Sequence, residues 1–174
     1  MNPIITNISK SARNELEPSA SYIAFGGSGF NIMNDFEKLG IAGQKIVYSK
    51  KNESTAPITV TTNFSELIDR VNISKELYVT GGLGGAFSEI AVVQLLEYMS
   101  QNKVSFKAVF TLPFEFEGPK RTRAGDLVAQ SIKQYSNVTL LNHQDNRDWS
   151  GEMEISHYFL EMSKRIYINL MGDS

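Results

Sequence analysis

Two glycine clusters, Gly26-Gly27-Ser28-Gly29 and Gly81-Gly82-Leu83-Gly84-Gly85, stand where short apolar runs give way to helical patterns. A helix that begins directly after a strand points free backbone N–H groups, and the positive end of its dipole, over the sheet edge. Glycine at that place lets the backbone approach a phosphate with no Cβ in the way. A third stretch, Val109-Phe-Thr-Leu-Pro-Phe-Glu-Phe-Glu-Gly-Pro-Lys-Arg121, brings a strand end, a proline turn and a basic approach to a helix. Three such junctions on one side of one sheet make a crevice the size of a nucleotide. Lys120, Arg121 and Arg123 lie at a helix start, where cations are out of place unless an anion is near. Lys50 and Lys51, at the end of another apolar run, suit a 2′-phosphate and keep a nicotinamide-dependent (NADP) reductase in view. That fingerprint is incomplete, because Ile32 stands at its third glycine and the expected acidic residue is missing.

The elements that must position these residues alternate. Short apolar strands are expected at Tyr22–Phe25, Ile46–Tyr48, Ile58–Val60, Leu77–Thr80, Phe106–Thr111 and Val138–Leu141. Between them lie helical stripes. Ile32, Met33, Phe36 and Leu39 form one, closed by Gly40; Phe64, Leu67, Ile68 and Val71 form another, with Asn63 as N-cap and Glu66 three residues on. Ile90, Val93, Leu96 and Met99 mark a broad apolar helix, and Ala124, Leu127, Val128, Ile132 and Tyr135 the next. A last helix is expected from near Ser150, with Ile155, Phe159, Met162, Ile166 and Leu170 on one stripe. The fold class is therefore α/β, a three-layer Rossmann-like parallel sheet with helices on both faces. Phe114 and Phe116 are expected to anchor their turn in the core, and Phe159 to pack within its stripe. Trp149 is expected to anchor the loop before the last helix. Residues 1–20 read as an N-terminal arm and 21–174 as one domain.

Composition removes several function classes. The 174 residues contain no cysteine, so disulfides, thiolate catalysis and cysteine-bound metals are excluded. His143 and His157 fit no metal-ligand spacing. A net charge of −2 gives no general attraction to nucleic acid or membrane, and no run approaches the roughly 20 apolar residues of a membrane span. A cytoplasmic location is expected, with neither nucleic acid nor membrane as partner.

Three segments resemble the GTPase domain of the FtsZ/tubulin superfamily, FtsZ more than tubulin. Ala24-Phe25-Gly26-Gly27-Ser28-Gly29-Phe30-Asn31-Ile32-Met33-Asn34 is similar to its opening glycine run with two asparagines. Leu77 to Gly85 looks like the approach to its signature loop, and Thr111 to Arg121 is close to the FtsZ pattern Thr-x-Pro-Phe-x-Phe-Glu-Gly. The resemblance implies a site for GTP or GDP. Gly26, Gly27, Ser28, Gly29 and Asn31 would lie at the base and phosphates, and Gly82, Gly84 and Gly85 at the phosphate loop. Glu117 would face the ribose, Arg121 the phosphates and Phe159 the guanine. Asn146 is the guanine-reading candidate, with Asp145 as the other reading of that position.

The chain also departs from the pattern. Ala86-Phe87-Ser88-Glu89 replaces the Thr-Gly-Thr-Gly of the signature loop, and Ser163 replaces an aspartate that pairs with guanine. Two like charges 4 Å apart cost about 4 kcal/mol at an effective dielectric of 20, so Glu89 is expected to weaken phosphate binding about a thousandfold. Gly172-Asp173-Ser174 does not match the acidic loop through which the next FtsZ subunit completes hydrolysis. The implied role is that of an assembly, adaptor or regulatory protein with weakened or lost GTP binding. Its partner would be an FtsZ-like protein or a second copy of itself. The alternative is a GTPase completed by a partner's acidic loop, and an NADP-dependent reductase is the second alternative.

Overall fold

The computed structural model describes residues 20–51, 56–142 and 154–172. The arm before residue 20, His143, Asp145, Asn146, Trp149 and Asp173 lie outside the described residues. Six strands form one parallel sheet: β1 (Ala20–Phe25), β2 (Gln44–Tyr48), β3 (Thr59–Thr61), β4 (Glu76–Gly82), β5 (Lys107–Leu112) and β6 (Val138–Asn142). Their spatial order is β3-β2-β1-β4-β5-β6, with every neighbouring pair parallel. The helices are α1 (Gly26–Lys38), α2 (Phe64–Ile73), α3 (Ala86–Gln101), α4 (Pro119–Ile132) and α5 (Ile155–Met171), with a 3-10 turn at Glu115–Glu117.

Alternation along the central strands divides the core in two. Ile23, Phe25, Val79 and Phe110 face α2, α3 and α4, packing on Leu67, Leu95, Leu96 and Ile132. Tyr22, Ala24, Val47 and Val109 face α1 and α5, packing on Met33, Phe36, Met162 and Ile166. Both faces of β1 and β4 are thus covered, which is why their sequences read as continuous apolar runs. Asn63 caps α2 as expected, its Oδ1 accepting the Ser65 N–H at 2.8 Å. Glu66 does not return to that cap; its Oε2 accepts the Thr61 hydroxyl at 2.7 Å.

Several side chains assigned to the core are instead exposed. Ile90 on α3 and Leu127 on α4 face solvent, while Ala91, Val92 and Leu95, and Gly125, Val128 and Ala129, take the buried positions. Small residues let α3 and α4 approach the sheet, and a stripe counted from large apolar residues misses them. Ile155 and Phe159 are exposed at the start of α5, whereas Tyr158 is buried there. Burial holds the Tyr158 hydroxyl above its usual range, with Arg165 opposing the shift.

Thr80, wholly buried on β4, has a hydroxyl with no hydrogen-bond partner among the described residues. Thr80→Val keeps the shape and removes that uncompensated group. It should stabilise the protein by about 1 kcal/mol in urea unfolding.

Candidate functional site

Every strand runs the same way, so the junctions after β1, β4 and β5 share the carboxyl edge of the sheet. After β1 the chain enters α1 on one face; after β4 it enters α3 on the other. Such a divergence between adjacent strands opens a crevice, the usual ligand position in sheets of this kind. The sequence-predicted junctions therefore converge.

Their glycines are put to different uses. Gly82 ends β4 rather than opening a loop, and its N–H donates to the Ser28 hydroxyl at 3.3 Å. Gly84 has φ +103, and a Cβ there would lie 2.8 Å from the Arg121 carbonyl oxygen and 3.2 Å from Pro113. Gly29 is buried with its Cβ position 2.8 Å from the Ala24 Cβ, so it serves the packing of α1 on β1. Gly85 accepts the Ser88 hydroxyl at its carbonyl, 3.0 Å away. Gly26, with φ +64, and Gly27 have nothing within 4 Å of their Cβ positions and open outward. Neither α1 nor α3 has a side-chain cap, so the donors of both helix starts remain available.

The turn after β5 closes on itself. Glu117 accepts the Phe114 N–H at 3.0 Å and pairs with Arg121 at 3.1 Å. Both residues expected to meet a nucleotide thus have partners within their own turn. Phe116 is 82% exposed and Phe159 47% exposed, which overturns their placement in the core. Phe116 stacks on the half-buried Phe114 at 4.7 Å, and Phe159 meets Phe114 edge-on at 6.5 Å. With Tyr158 they form an aromatic cluster at the start of α5, of which Tyr158 is the buried member. Ser163 is 2% exposed and donates to Asp35 Oδ2 of α1 at 2.8 Å, joining α5 to α1 inside the fold. Asn146 lies outside the described residues.

A cavity of about 480 Å3 adjoins the junctions on the β2 side. Gly26, Gly27 and Asn31 of α1 line it together with Lys50, Lys51 and Phe87. Phe87 packs against Tyr48 of β2, ring centroids 5.0 Å apart. Glu89 does not line this cavity. It lines a separate groove between α3 and α4, with Lys120 and Arg123. Two residues along a helix differ by about 200° in direction, so once Phe87 turns toward β2, Glu89 must turn toward α4. The charge penalty expected from Glu89 therefore does not fall on the open glycines. Phe87 lines the cavity beside these glycines, and Ser28 bonds across to the end of β4.

No protein-family model and no curated protein matches the chain. Among solved structures it is similar to FtsZ from M. jannaschii, an empty dimer, at 16% identity and TM-score 0.72, covering 97% of this chain and 57% of that one. It is similar also to TubZ of Clostridium botulinum phage c-st, at 11% identity and TM-score 0.69, covering 91% and 62%. The phage tubulin PhuZ with GDP matches at 15% identity and TM-score 0.62, covering 86% and 54%. At such identities the likeness is one of fold, and the fold is that of the FtsZ/tubulin GTPase domain. The chain spans less than two thirds of the length of each of these proteins.

Proposed function

We propose that this FtsZ-like domain works in an FtsZ/tubulin-type filament system as an assembly, adaptor or regulatory protein, with weakened or lost GTP binding. Its partner is an FtsZ-like protein or a second copy, and it acts in the cytoplasm. The observation that carries this reading is the loop-on-loop packing at the carboxyl edge. Ser28 holds the Gly82 N–H, and Gly84 lies so close to the Arg121 carbonyl that a Cβ there would be 2.8 Å from it. The Glu117–Arg121 pair supports it, because the two charges offset one another within the turn.

Mixing the protein with a polymerising FtsZ, and following light scattering and phosphate release together, tests the proposal. The expected result is a dose-dependent change in FtsZ polymer with no phosphate release by the protein alone. Unchanged polymer at every ratio, with no self-assembly, would contradict it. The uncapped starts of α1 and α3 favour one other reading, a GTPase completed in trans by an acidic loop. In the same mixture that reading requires phosphate release above the FtsZ level.

A further inference from the structure

Lys120 and Arg123 have no part in the role above. They stand at the start of α4, where a cation opposes the helix dipole unless an anion lies near. Among the described residues neither makes an ion pair, and nor does Glu89 on the other wall of their groove. We propose that a second copy of this chain supplies the anion, in a two-fold dimer that lays α3 of each protomer over α4 of its partner. A second copy is one of the partners named under Proposed function, but this dimer concerns the α3–α4 face alone and needs no filament.

The charges of this face are sorted by helix. α3 carries two acids, Glu89 and Glu97, and no base, whereas α4 carries Lys120, Arg121 and Arg123 against Asp126 alone. Arg121 is taken by Glu117 of its own turn, which leaves Lys120 and Arg123. The two helices follow neighbouring parallel strands and pack together on one face of the sheet, so their first turns lie side by side. The groove between them, about 350 Å3, therefore has an acidic wall and a basic wall at the same end. Around the charges the face is apolar: Ile90 is 63% exposed and Leu127 61% exposed.

Symmetry decides what fits such a face. A two-fold pair brings the same surface of both copies together. An axis across the groove would set α3 on α3 and acid on acid. An axis along the groove sets α3 over the partner's α4 with the helix directions kept, so Glu89 meets Lys120 and Arg123 twice. The same rotation covers Ile90 and Leu127, whose burial adds attraction that exposed charge pairs supply only weakly. An acidic peptide or a nucleic-acid backbone would satisfy the basic wall but bring like charge beside Glu89. A second copy satisfies both walls.

Sedimentation of the protein by itself, over a concentration series at low and high salt, tests the proposal. A reversible dimer is expected, weaker at high salt. Glu89→Lys makes both walls basic at that end, and Lys120→Glu/Arg123→Glu makes both acidic. Each should weaken the dimer by about tenfold or more. Mixed together, the two variants should form a heterodimer, because each supplies the charges the other lacks. Leu127→Ser, which leaves every charge in place, should weaken the dimer as well, while Phe116→Ser/Phe159→Ser on the exposed aromatic cluster leaves it intact. Circular dichroism confirms that each variant folds. A monomer at every concentration would overturn the proposal. So would a dimer of native strength in Glu89→Lys, a mixture that stays monomeric, or loss of the dimer in the Phe116/Phe159 variant. With no FtsZ present, the outcome is separate from any effect of the chain on FtsZ polymer.

Discussion

Ser163→Asp is expected to destabilise the protein by about 3–5 kcal/mol at neutral pH, although it restores the residue type that FtsZ-like sequences carry there. Ser163 is 2% exposed and donates to Asp35 at 2.8 Å, so a carboxylate in its place would face a second carboxylate inside the fold. Two such groups at hydrogen-bonding distance cannot both ionise, and one is driven to bind a proton. Its folded pKa then exceeds the unfolded value near 4. The folded state binds the extra proton, so the penalty is fully present above the raised pKa and shrinks as the pH falls toward the unfolded one. Urea unfolding at pH 7 and pH 5 should show the variant closer to the native protein at the lower pH. Native stability at pH 7 would mean that position 163 turns outward, away from Asp35.

Gly84→Ala should cost about 2–5 kcal/mol, with Gly27→Ala as the contrast. At Gly84 the backbone has φ +103, and the new Cβ would sit 2.8 Å from a carbonyl oxygen fixed in α4. Backbone strain and overpacking therefore act together, and neither can relax by rotating a side chain. At Gly27 the Cβ meets nothing within 4 Å, and the position lies inside α1. There the change should be neutral or stabilising by about 0.5–1 kcal/mol, since alanine suits a helix better than glycine. Denaturant midpoints for the two variants decide the matter. Equal effects would mean that Gly84 is not wedged between the β4 and β5 junctions.

The fold was legible because strands covered on both faces need continuous apolar runs, and all six appear in the right order. The convergence of the three junctions followed from the parallel sheet alone. What could not be read was direction within the first turns of the helices. Whether Phe87 or Glu89 faces the glycines depends on how α3 is rotated on the sheet, and that rotation is set by small buried residues such as Ser88 and Ala91. The same blindness put Leu127 inside, where Gly125 and Ala129 allow α4 its close approach. Phe116 and Phe159 misled for another reason. Their apolarity was plain, but the buried place in that aromatic cluster is taken by Tyr158. Of the candidate site, Gly26, Gly27 and Asn31 line one cavity with Lys50 and Lys51, whereas Gly29, Glu117 and Arg121 are engaged with the protein's own atoms.

The most direct test compares GTP with ATP in calorimetric titrations of the same protein. With the glycine junctions packed on one another, GTP should bind no more tightly than about 10 μM, and ATP about as well. Any shared binding would then be through phosphate. A guanine-selective complex tighter than that limit would show that Ser28, Gly84 and the Glu117–Arg121 pair yield to a nucleotide, and the account would fail.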